Sequence, residues 1–285
     1  MNNKLEKFKN DIKNKKVAVL GIGISNTPLI KYLANLGVDI TAFDKADESK
    51  LGPVLKNFEG LDVKFSLGEG YLERLKGFDV IFKTPVIRYD IPELVEAREN
   101  GAYVTSEMEV FLELCPATVF GVTGSDGKTT TTTLIYEILK RHGYNCWLGG
   151  NIGTPLLDKI DQIRETDMVV VELSSFQLHT MKISPNISVI TNVSPNHLDV
   201  HKSMEEYIDA KKNIYKFQKK TDKLVLNYDN DITRQMAGEA CGNVTYFSRV
   251  NNIEHGMVLE NGTLVYRKNG EKLKIINADE ILLMG

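Results

Sequence analysis

TVFGVTGSDGKTT, residues 118–130, decides the fold of this 285-residue chain. The apolar residues Thr118 to Val122 predict a strand, and the pattern from Lys128 to His142 predicts a helix. Between them lies a glycine-rich turn. In that context, backbone N–H groups and the N-terminus of the helix bind phosphate. The stretch therefore predicts the phosphate-binding loop of a nucleotide site in an α/β domain.

The residues of the loop suit this chemistry. Gly124 and Gly127 let the backbone approach phosphates, Lys128 neutralises the β and γ oxygens, and the Thr129 hydroxyl is a ligand for Mg²⁺. The strict pattern GxxxxGK with Ser or Thr is not met, because Val122 stands where its first glycine belongs. The alternative is a glycine turn that only happens to precede Lys-Thr, and the flanking strand and helix favour the nucleotide site.

Two further strand ends carry polar side chains. The apolar strand Met168 to Glu172 ends on a carboxylate beside the phosphate loop, which is where a Mg²⁺ ligand is needed. The strand Ile187 to Asn192 is followed by His197, the histidine whose loop faces the same crevice. A histidine in a loop is more often an ordinary polar residue. The sequence thus predicts Glu172 as a metal ligand and leaves His197 as a weaker candidate.

The helix predicted from Met204 to Gln218 is rich in lysine. Tyr207 and Lys211 are four residues apart and share a face, so we expect Lys211 to point inward. For the other lysines of the helix, a solvated basic surface is the simpler interpretation.

The first hundred residues also alternate between strands and helices. Strands are predicted at Val17–Leu20, Val38–Phe43 and Val80–Phe82, with a helix from Pro28 to Leu36. This order favours a parallel sheet with ligands at the carboxyl ends of its strands. The dinucleotide fingerprint that begins at Gly21 is weak because its third position is Asn26, and a plain turn or a site for another ligand is at least as probable.

The chain divides into two predicted domains near residue 106. Residues 1–106 are predicted to form a Rossmann-like α/β domain, and residues 107–285 a P-loop-type α/β ATPase domain with a mostly parallel sheet. The tail beyond residue 243 contains Asn-Gly pairs between short alternating runs, which predict hairpins.

Composition excludes several classes of protein. Hydrophobic residues make up 42% and charged residues 26%, as in ordinary globular proteins, and the net charge of -3 gives no basic footprint for nucleic acid or an anionic membrane. No apolar run approaches the roughly 20 residues of a membrane span. Three cysteines without a CxxC pair suit a reducing compartment. We expect a cytoplasmic protein, monomeric, with no nucleic-acid or membrane partner.

Taken together, these segments resemble the Mur ligases of peptidoglycan synthesis. GVTGSDGKTTTTTL, GGNIGTPL, VVVELSSFQL, TNVSPNHLDVHKSMEEYIDAKKNIY and LVLNYDN occur in the family's order. GGNIG together with ELSSFQL is similar to the D-glutamate-adding branch. The resemblance implies that ATP phosphorylates the carboxylate of UDP-N-acetylmuramoyl-L-alanine, and that the amine of D-glutamate then attacks the acyl phosphate. ATP and two Mg²⁺ ions are implied.

The resemblance also implies a role for individual residues. Lys128, Glu172, His197 and Lys211 would be catalytic, with Lys211 carbamylated so that it becomes an anionic metal ligand alongside Thr129, Glu172 and His197. The implied ATP contacts are Gly124, Ser125, Asp126, Gly127, Lys128, Thr129, Thr130 and Asn227, the last near adenine. Those of the UDP substrate are Gly23, Ile24, Ser25, Asp44, Lys45, Thr84, Asn151 and Ser174, with the uridine diphosphate at the Gly21 to Ser25 turn.

The chain departs from the family pattern at several positions. Asn196 and Asp126 replace a usual Asp and Asn, no arginine follows Asp44, and Thr84-Pro85-Val86 replaces Ser-Pro-Gly. Family members also carry a third domain for D-glutamate, and nothing similar follows Leu283. We therefore expect a two-domain piece that binds ATP and forms little product.

Three alternatives remain open. The chain is compatible with another amide ligase of the superfamily, such as the folylpolyglutamate type, which a UDP-sugar binding test distinguishes. A non-catalytic nucleotide-binding module would keep the site without turnover. A dinucleotide-dependent oxidoreductase would need NAD(P) near Asp44, and the missing third glycine argues against it.

Overall fold

The computed structural model of the chain describes residues 3–195 and 201–281. The chain folds into two compact units. Unit 1 comprises Met1–Ala117 and Leu148–Asp167, and unit 2 comprises Thr118–Trp147 and Met168–Gly285. The sequence motifs predict a division near residue 106. The first compact unit instead extends to Ala117 and also includes residues 148–167.

Unit 1 contains a five-stranded parallel sheet in the order β3-β2-β1-β4-β5. Its strands are β1 (Lys16–Leu20), β2 (Asp39–Asp44), β3 (Val63–Leu67), β4 (Val80–Lys83) and β5 (Tyr103–Thr105). The strand order reverses beside β1, which pairs with β2 on one side and β4 on the other. Doubly wound sheets bind ligands outside the carboxyl ends of their strands at such a point. The predicted Rossmann-like architecture is confirmed.

The helices of unit 1 cover this sheet. They are α1 (Asn3–Ile12), α2 (Asn26–Asn35), α3 (Glu48–Leu55), α4 (Pro92–Glu99) and α5 (Glu107–Leu114), and residues Leu157–Gln162 add a 3₁₀ helix. One core cluster joins Leu20, Phe43 and Ile81 of the sheet to Leu94 of α4. Ser106 caps the N-terminus of α5, because its side chain accepts a hydrogen bond from the Glu109 N–H.

A nine-stranded sheet, all of whose strands except β7 lie wholly in unit 2, has the order β14-β13-β12-β11-β10-β9-β6-β8-β7. Neighbours from β8 to β12 pair in parallel, and β12, β13 and β14 are antiparallel. The strands are β6 (Thr118–Thr123), β7 (Cys146–Gly150), β8 (Met168–Glu172), β9 (Ile187–Ile190), β10 (Lys223–Asn227), β11 (Asn243–Ser248), β12 (Gly256–Glu260), β13 (Thr263–Lys268) and β14 (Glu271–Asn277). The helices are α6 (Lys128–Arg141), α7 (Ser175–Leu178), α8 (Met204–Lys216) and α9 (Asp231–Met236).

The Asn-Gly pairs form the turns of the C-terminal hairpins. Asn261 and Gly262 have φ angles of 48° and 75°, and Asn269 and Gly270 have 53° and 83°. Two successive residues with positive φ are what a type I′ turn requires. The predicted hairpins are therefore confirmed. None of the described helices has the length and apolar character of a membrane span.

Candidate functional site

The phosphate loop of unit 2 connects β6 to α6. Gly127 precedes the helix with a φ of 76°, and Gly124 has a φ of 153°. A Cβ on Gly124 would overlap the Thr191 hydroxyl and lie 3.2 Å from the Asn192 nitrogen. Gly121 has another function, because a Cβ there would overlap the Pro185 ring. Gly121 is therefore needed where β6 packs against Pro185, and it is not one of the glycines of the phosphate loop.

The segment that follows β9 holds this loop in place. The Ser125 N–H donates to the Asn192 carbonyl (2.9 Å), and the Asp126 N–H donates to Asn192 Oδ1 (3.0 Å). The Thr191 hydroxyl donates to the Asp126 carbonyl at 2.6 Å. Sequence reasoning placed Asn192 at a strand end but missed Thr191, because an anchoring role depends on a contact across 65 residues.

Thr129 and Glu172 form the centre of the site. The Thr129 hydroxyl donates to Glu172 Oε2 at 2.7 Å, and Glu172 is 1% exposed at the end of β8. Strand β8 pairs with β6, so the carboxylate reaches the first turn of α6. Within the described ranges, no group of three His, Cys, Asp or Glu side chains is placed to hold a metal. Mg²⁺ commonly takes one or two carboxylates together with phosphate oxygens and water, so the Thr129–Glu172 pair fits this ion.

Two lysines lie against the loop. Lys128 Nζ donates to the Ser125 carbonyl at 3.0 Å. Lys211 of α8 is 1% exposed, and its Nζ donates to the Gly124 carbonyl at 2.8 Å. The same nitrogen lies 4.5 Å from the centre of the Tyr207 ring. The predicted inward direction of Lys211 is correct. Burial, reinforced by the charge of Lys128, lowers the pKa of Lys211 to about 7.

The HLDVH segment, residues 197–201, contains two histidines, and the structure describes His201. His197 lies outside the described residues. His201 is buried, with Nε2 2.9 Å from the Ser175 hydroxyl and its ring stacked on Phe176. These contacts place His201 in the packed interior of unit 2.

The remaining nucleotide-side candidates lie at strand and helix ends. Asn227 ends β10, donates from Nδ2 to the Thr191 carbonyl and accepts from the Asp229 N–H at Oδ1. Thr130 is exposed on the first turn of α6. Ser174 caps α7 by accepting from the Gln177 N–H. Its hydroxyl is thus already part of a capping box.

In unit 1, the predicted UDP-substrate residues meet at the carboxyl edge of the sheet. Gly21 has a φ of 89°, and a Cβ there would lie 2.9 Å from Thr84 Cγ2. Asp44 accepts from the N–H groups of Ile22 (2.7 Å) and Ala46 (2.8 Å). The other predicted residues here are exposed: Gly23, Ile24, Ser25 and Lys45. Asn151 is exposed as well, in the loop after β7.

Asn26 takes over the position of the third fingerprint glycine. Its side chain is 3% exposed, and Nδ2 donates to the carbonyls of Leu20 and Gly21, both at 3.0 Å. The amide closes the turn from inside. The departure from the dinucleotide pattern is therefore a specific structural feature of this turn.

Comparison with known families gives two matches. Residues 122–283 match the model described as Mur ligase middle domain, and residues 15–106 match Mur ligase MurD-like, N-terminal domain.

Curated relatives agree with these matches. UDP-N-acetylmuramoylalanine–D-glutamate ligase of Acetivibrio thermocellus is 66% identical over all 285 residues, and that of Ruminiclostridium cellulolyticum is 63% identical. In both cases, the chain spans 61% of the relative's length.

Solved structures show the same fold at low identity. UDP-N-acetylmuramate:L-alanyl-gamma-D-glutamyl-meso-diaminopimelate ligase from Neisseria meningitides has a TM-score of 0.57 at 18% identity, covering 95% of this chain and 88% of that chain. UDP-N-acetylmuramate-alanine ligase from Thermotoga maritima has a TM-score of 0.50 at 23% identity, covering 92% and 60%.

Proposed function

The chain belongs to the Mur ligase family, and we propose that it acts in the ATP-dependent joining of D-glutamate to UDP-N-acetylmuramoyl-L-alanine. The observation that carries the proposal is the contact of Thr129 with Glu172 beside a phosphate loop. The names of the relatives that are 66% and 63% identical support the choice of substrates. Because the chain spans 61% of their length, the reaction is proposed for the whole protein.

The proposed reaction has two steps. A carboxylate oxygen of UDP-N-acetylmuramoyl-L-alanine attacks the γ-phosphorus of ATP, forming an acyl phosphate as ADP departs. The amine of D-glutamate then attacks the acyl carbon and loses a proton, and phosphate leaves as the amide bond forms. Such chemistry depends mainly on positioning and on neutralising negative charge. Bound Mg²⁺ would supply part of that neutralisation.

The chain's own groups supply the rest. The N-terminus of α6 and Lys128 favour the negative charge of the phosphates. Thr129 and Glu172 would hold the first Mg²⁺, and His197 with carbamylated Lys211 the second. We assign the other ATP contacts to residues of the loop and of the strand ends: Gly124, Ser125, Asp126, Gly127, Thr130 and Asn227.

For the UDP substrate, we propose contacts in each unit. In unit 1, the exposed residues Gly23 to Ser25 of the Gly21 to Ser25 turn offer backbone N–H groups of the kind that bind a diphosphate. Asp44, Lys45, Thr84 and Asn151 are the other contacts proposed in this unit. In unit 2, Ser174 is proposed near the muramoyl group. We also propose that the protein is monomeric and cytoplasmic, and its sparse cysteines support the cytoplasmic location.

Calorimetric titration with Mg-ATP tests the phosphate loop. Lys128→Ala removes a cation whose hydrogen bonds to phosphate are charge-assisted, so we expect affinity to fall by roughly tenfold or more. Lys140→Ala is the matched control, since Lys140 is exposed near the other end of the same helix. Equal affinity of parent and Lys128→Ala would show that the loop assignment is wrong. A parallel titration with UDP-N-acetylmuramoyl-L-alanine separates this proposal from a folylpolyglutamate-type ligase.

A further inference from the structure

The loop after β7 in unit 1 closes tightly on itself. A Cβ on Gly149 would lie 2.6 Å from Leu156 Cγ and 2.8 Å from the Thr154 carbonyl oxygen. Gly153 has a φ of 74°, and a Cβ there would lie 2.9 Å from the Leu148 carbonyl oxygen. The two ends of this loop are therefore in van der Waals contact, and Asn151 lies at its exposed middle. The position of Asn151 depends on what holds Leu156.

Glu107 of α5 holds this end of the loop. Its Oε1 accepts hydrogen bonds from both the Leu156 N–H (3.1 Å) and the Leu157 N–H (2.8 Å). The contact is buried, since Glu107 is 6% exposed, Leu156 1% and Leu157 0%. The two N–H groups belong to the start of the 3₁₀ helix Leu157–Gln162, where no preceding carbonyl of the helix can accept them. One carboxylate oxygen thus satisfies both.

Burying the Glu107 carboxylate costs stability unless its hydrogen bonds compensate for the lost solvation. A buried carboxylate is poorly solvated, and burial raises the pKa of Glu107 to about 7, with nearby Asp158 adding to the rise. Removing the acceptor would leave two buried donors without a partner. The side chain couples α5, more than 40 residues earlier in the chain, to the loop that carries Asn151.

We infer that Glu107 is a positioning residue, which fixes the loop 149–153 so that Asn151 meets the muramoyl part of the UDP substrate. The inference rests on the proposed function for Asn151. Glu107 itself would not touch the substrate. Its effect would reach Asn151 through Leu156 and the turn packed against Gly149.

Variants of Glu107 in the whole chain test this inference. Glu107→Met removes the acceptor at similar length, and Glu107→Gln keeps an Oε1 that can accept from both N–H groups. Glu109→Met is the matched control. Glu109 is also 6% exposed on α5, but it accepts from the Thr105 hydroxyl. The measurements are hydrogen exchange of the amides of residues 149–157, calorimetric affinity for UDP-N-acetylmuramoyl-L-alanine, and affinity for Mg-ATP as an internal reference.

We expect Glu107→Met to exchange faster at residues 149–157 and to bind the UDP substrate roughly tenfold more weakly, because two buried donors lose their acceptor. Its affinity for Mg-ATP should stay within about twofold of the parent, and Glu107→Gln should resemble the parent in all three measurements. Unchanged exchange and affinity in Glu107→Met overturns the inference. The same follows if Glu107→Gln is as defective as Glu107→Met, or if Glu109→Met loosens the same amides.

Two further outcomes are decisive as well. If Glu107→Met does not fold, Glu107→Asp replaces it. This variant keeps the charge but withdraws the oxygen by one methylene, and unchanged exchange at residues 149–157 would then overturn the inference. If the parent does not bind the UDP substrate at all, the proposed function fails. Hydrogen exchange in the Glu107 variants still decides whether this side chain positions the loop.

Discussion

Lys211 lies where its charge is disfavoured. It is 1% exposed, and burial together with the charge of Lys128 lowers its pKa to about 7. Near neutral pH, a substantial fraction of its amine is therefore uncharged. A neutral amine can add to dissolved CO₂ to form a carbamate, whereas an ammonium group cannot. The side chain thus has the protonation state that the proposed carbamylation requires.

We predict that Lys211 forms a carbamate in ¹³C-labelled bicarbonate. The ¹³C NMR spectrum of the parent should show a carbamate carbonyl signal in addition to that of the α-amino group, and this additional signal should be absent from Lys211→Gln. At fixed dissolved CO₂, the signal should grow as pH rises from about 6 to about 8, because the neutral fraction rises through the pKa of about 7.

Lys212→Gln is the matched control for this experiment. Lys212 is the next residue of α8, and its Nζ forms ion pairs with Glu239 (2.8 Å) and Asp209 (3.7 Å). The α-amino group also titrates near neutral pH and contributes the same signal in every variant. A spectrum of Lys211→Gln that matches the parent would contradict the prediction.

Among the elements, those with a clear period and a clear end were predictable from the sequence. Strand β8 has the predicted bounds, and the Asn-Gly hairpins follow from turn chemistry. Helix α1 was not predicted, because the apolar residues in its lysine-rich sequence are few: Phe8 and the two that become buried, Leu5 and Ile12. Those two side chains are buried only because unit 1 supplies a surface for them. This tertiary contribution cannot be inferred from local pattern.

The candidate site likewise contains residues that local sequence predicts and residues that only tertiary contacts reveal. Lys128, Thr129 and Glu172 were predictable because a phosphate loop and the end of a neighbouring strand fix their positions. Glu107 was not predictable from the sequence. Its partners are the backbone N–H groups of Leu156 and Leu157, which lie 49 and 50 residues further along the chain and have no sequence signature.

The loop between β6 and α6 tolerates no side chain at its first glycine. Gly124→Ala would bring a Cβ into the Thr191 hydroxyl and within 3.2 Å of the Asn192 nitrogen, so the loop must shift. We expect the affinity for Mg-ATP to fall by roughly tenfold or more, since phosphate binding depends on the direction of the loop's N–H groups.

Gly238→Ala is the control for this variant. Apart from Gly238 itself, its chain neighbours and its own helix backbone, no atom of the described residues lies within 4 Å of the position that its Cβ would occupy, and its backbone φ is not positive. Its affinity for Mg-ATP should match that of the parent. Calorimetry that gives Gly124→Ala the affinity of Gly238→Ala would contradict the proposed function of the loop.

At the scale of the whole molecule, unit 1 is discontinuous in sequence. Helix α5 and residues 148–167 belong to it, although both lie beyond the predicted boundary at residue 106. Val110 and Leu114 of α5 line an apolar cavity of about 430 Å³ together with Ile12 and Phe82. Asp161 accepts hydrogen bonds from Lys9 and from the Tyr32 hydroxyl. These contacts tie α1 and α2 to a segment that the chain reaches only after residue 147.

We therefore predict that residues 1–106 alone do not unfold cooperatively. Without α5 and residues 148–167, the apolar side chains of β4 and α1 lose their cover, and each large side chain returned to water costs about 1.5–3 kcal/mol. A few such losses approach the whole stability of a small domain.

The control for residues 1–106 is a polypeptide in which a flexible Gly-Ser linker joins residues 1–117 to residues 148–167, so that all of unit 1 is present. Differential scanning calorimetry should show a single cooperative transition for the joined polypeptide and none for residues 1–106. If residues 1–106 unfold cooperatively at the same midpoint as the joined polypeptide, then the later segments contribute nothing to the stability of unit 1, and the boundary at residue 106 separates two independent domains.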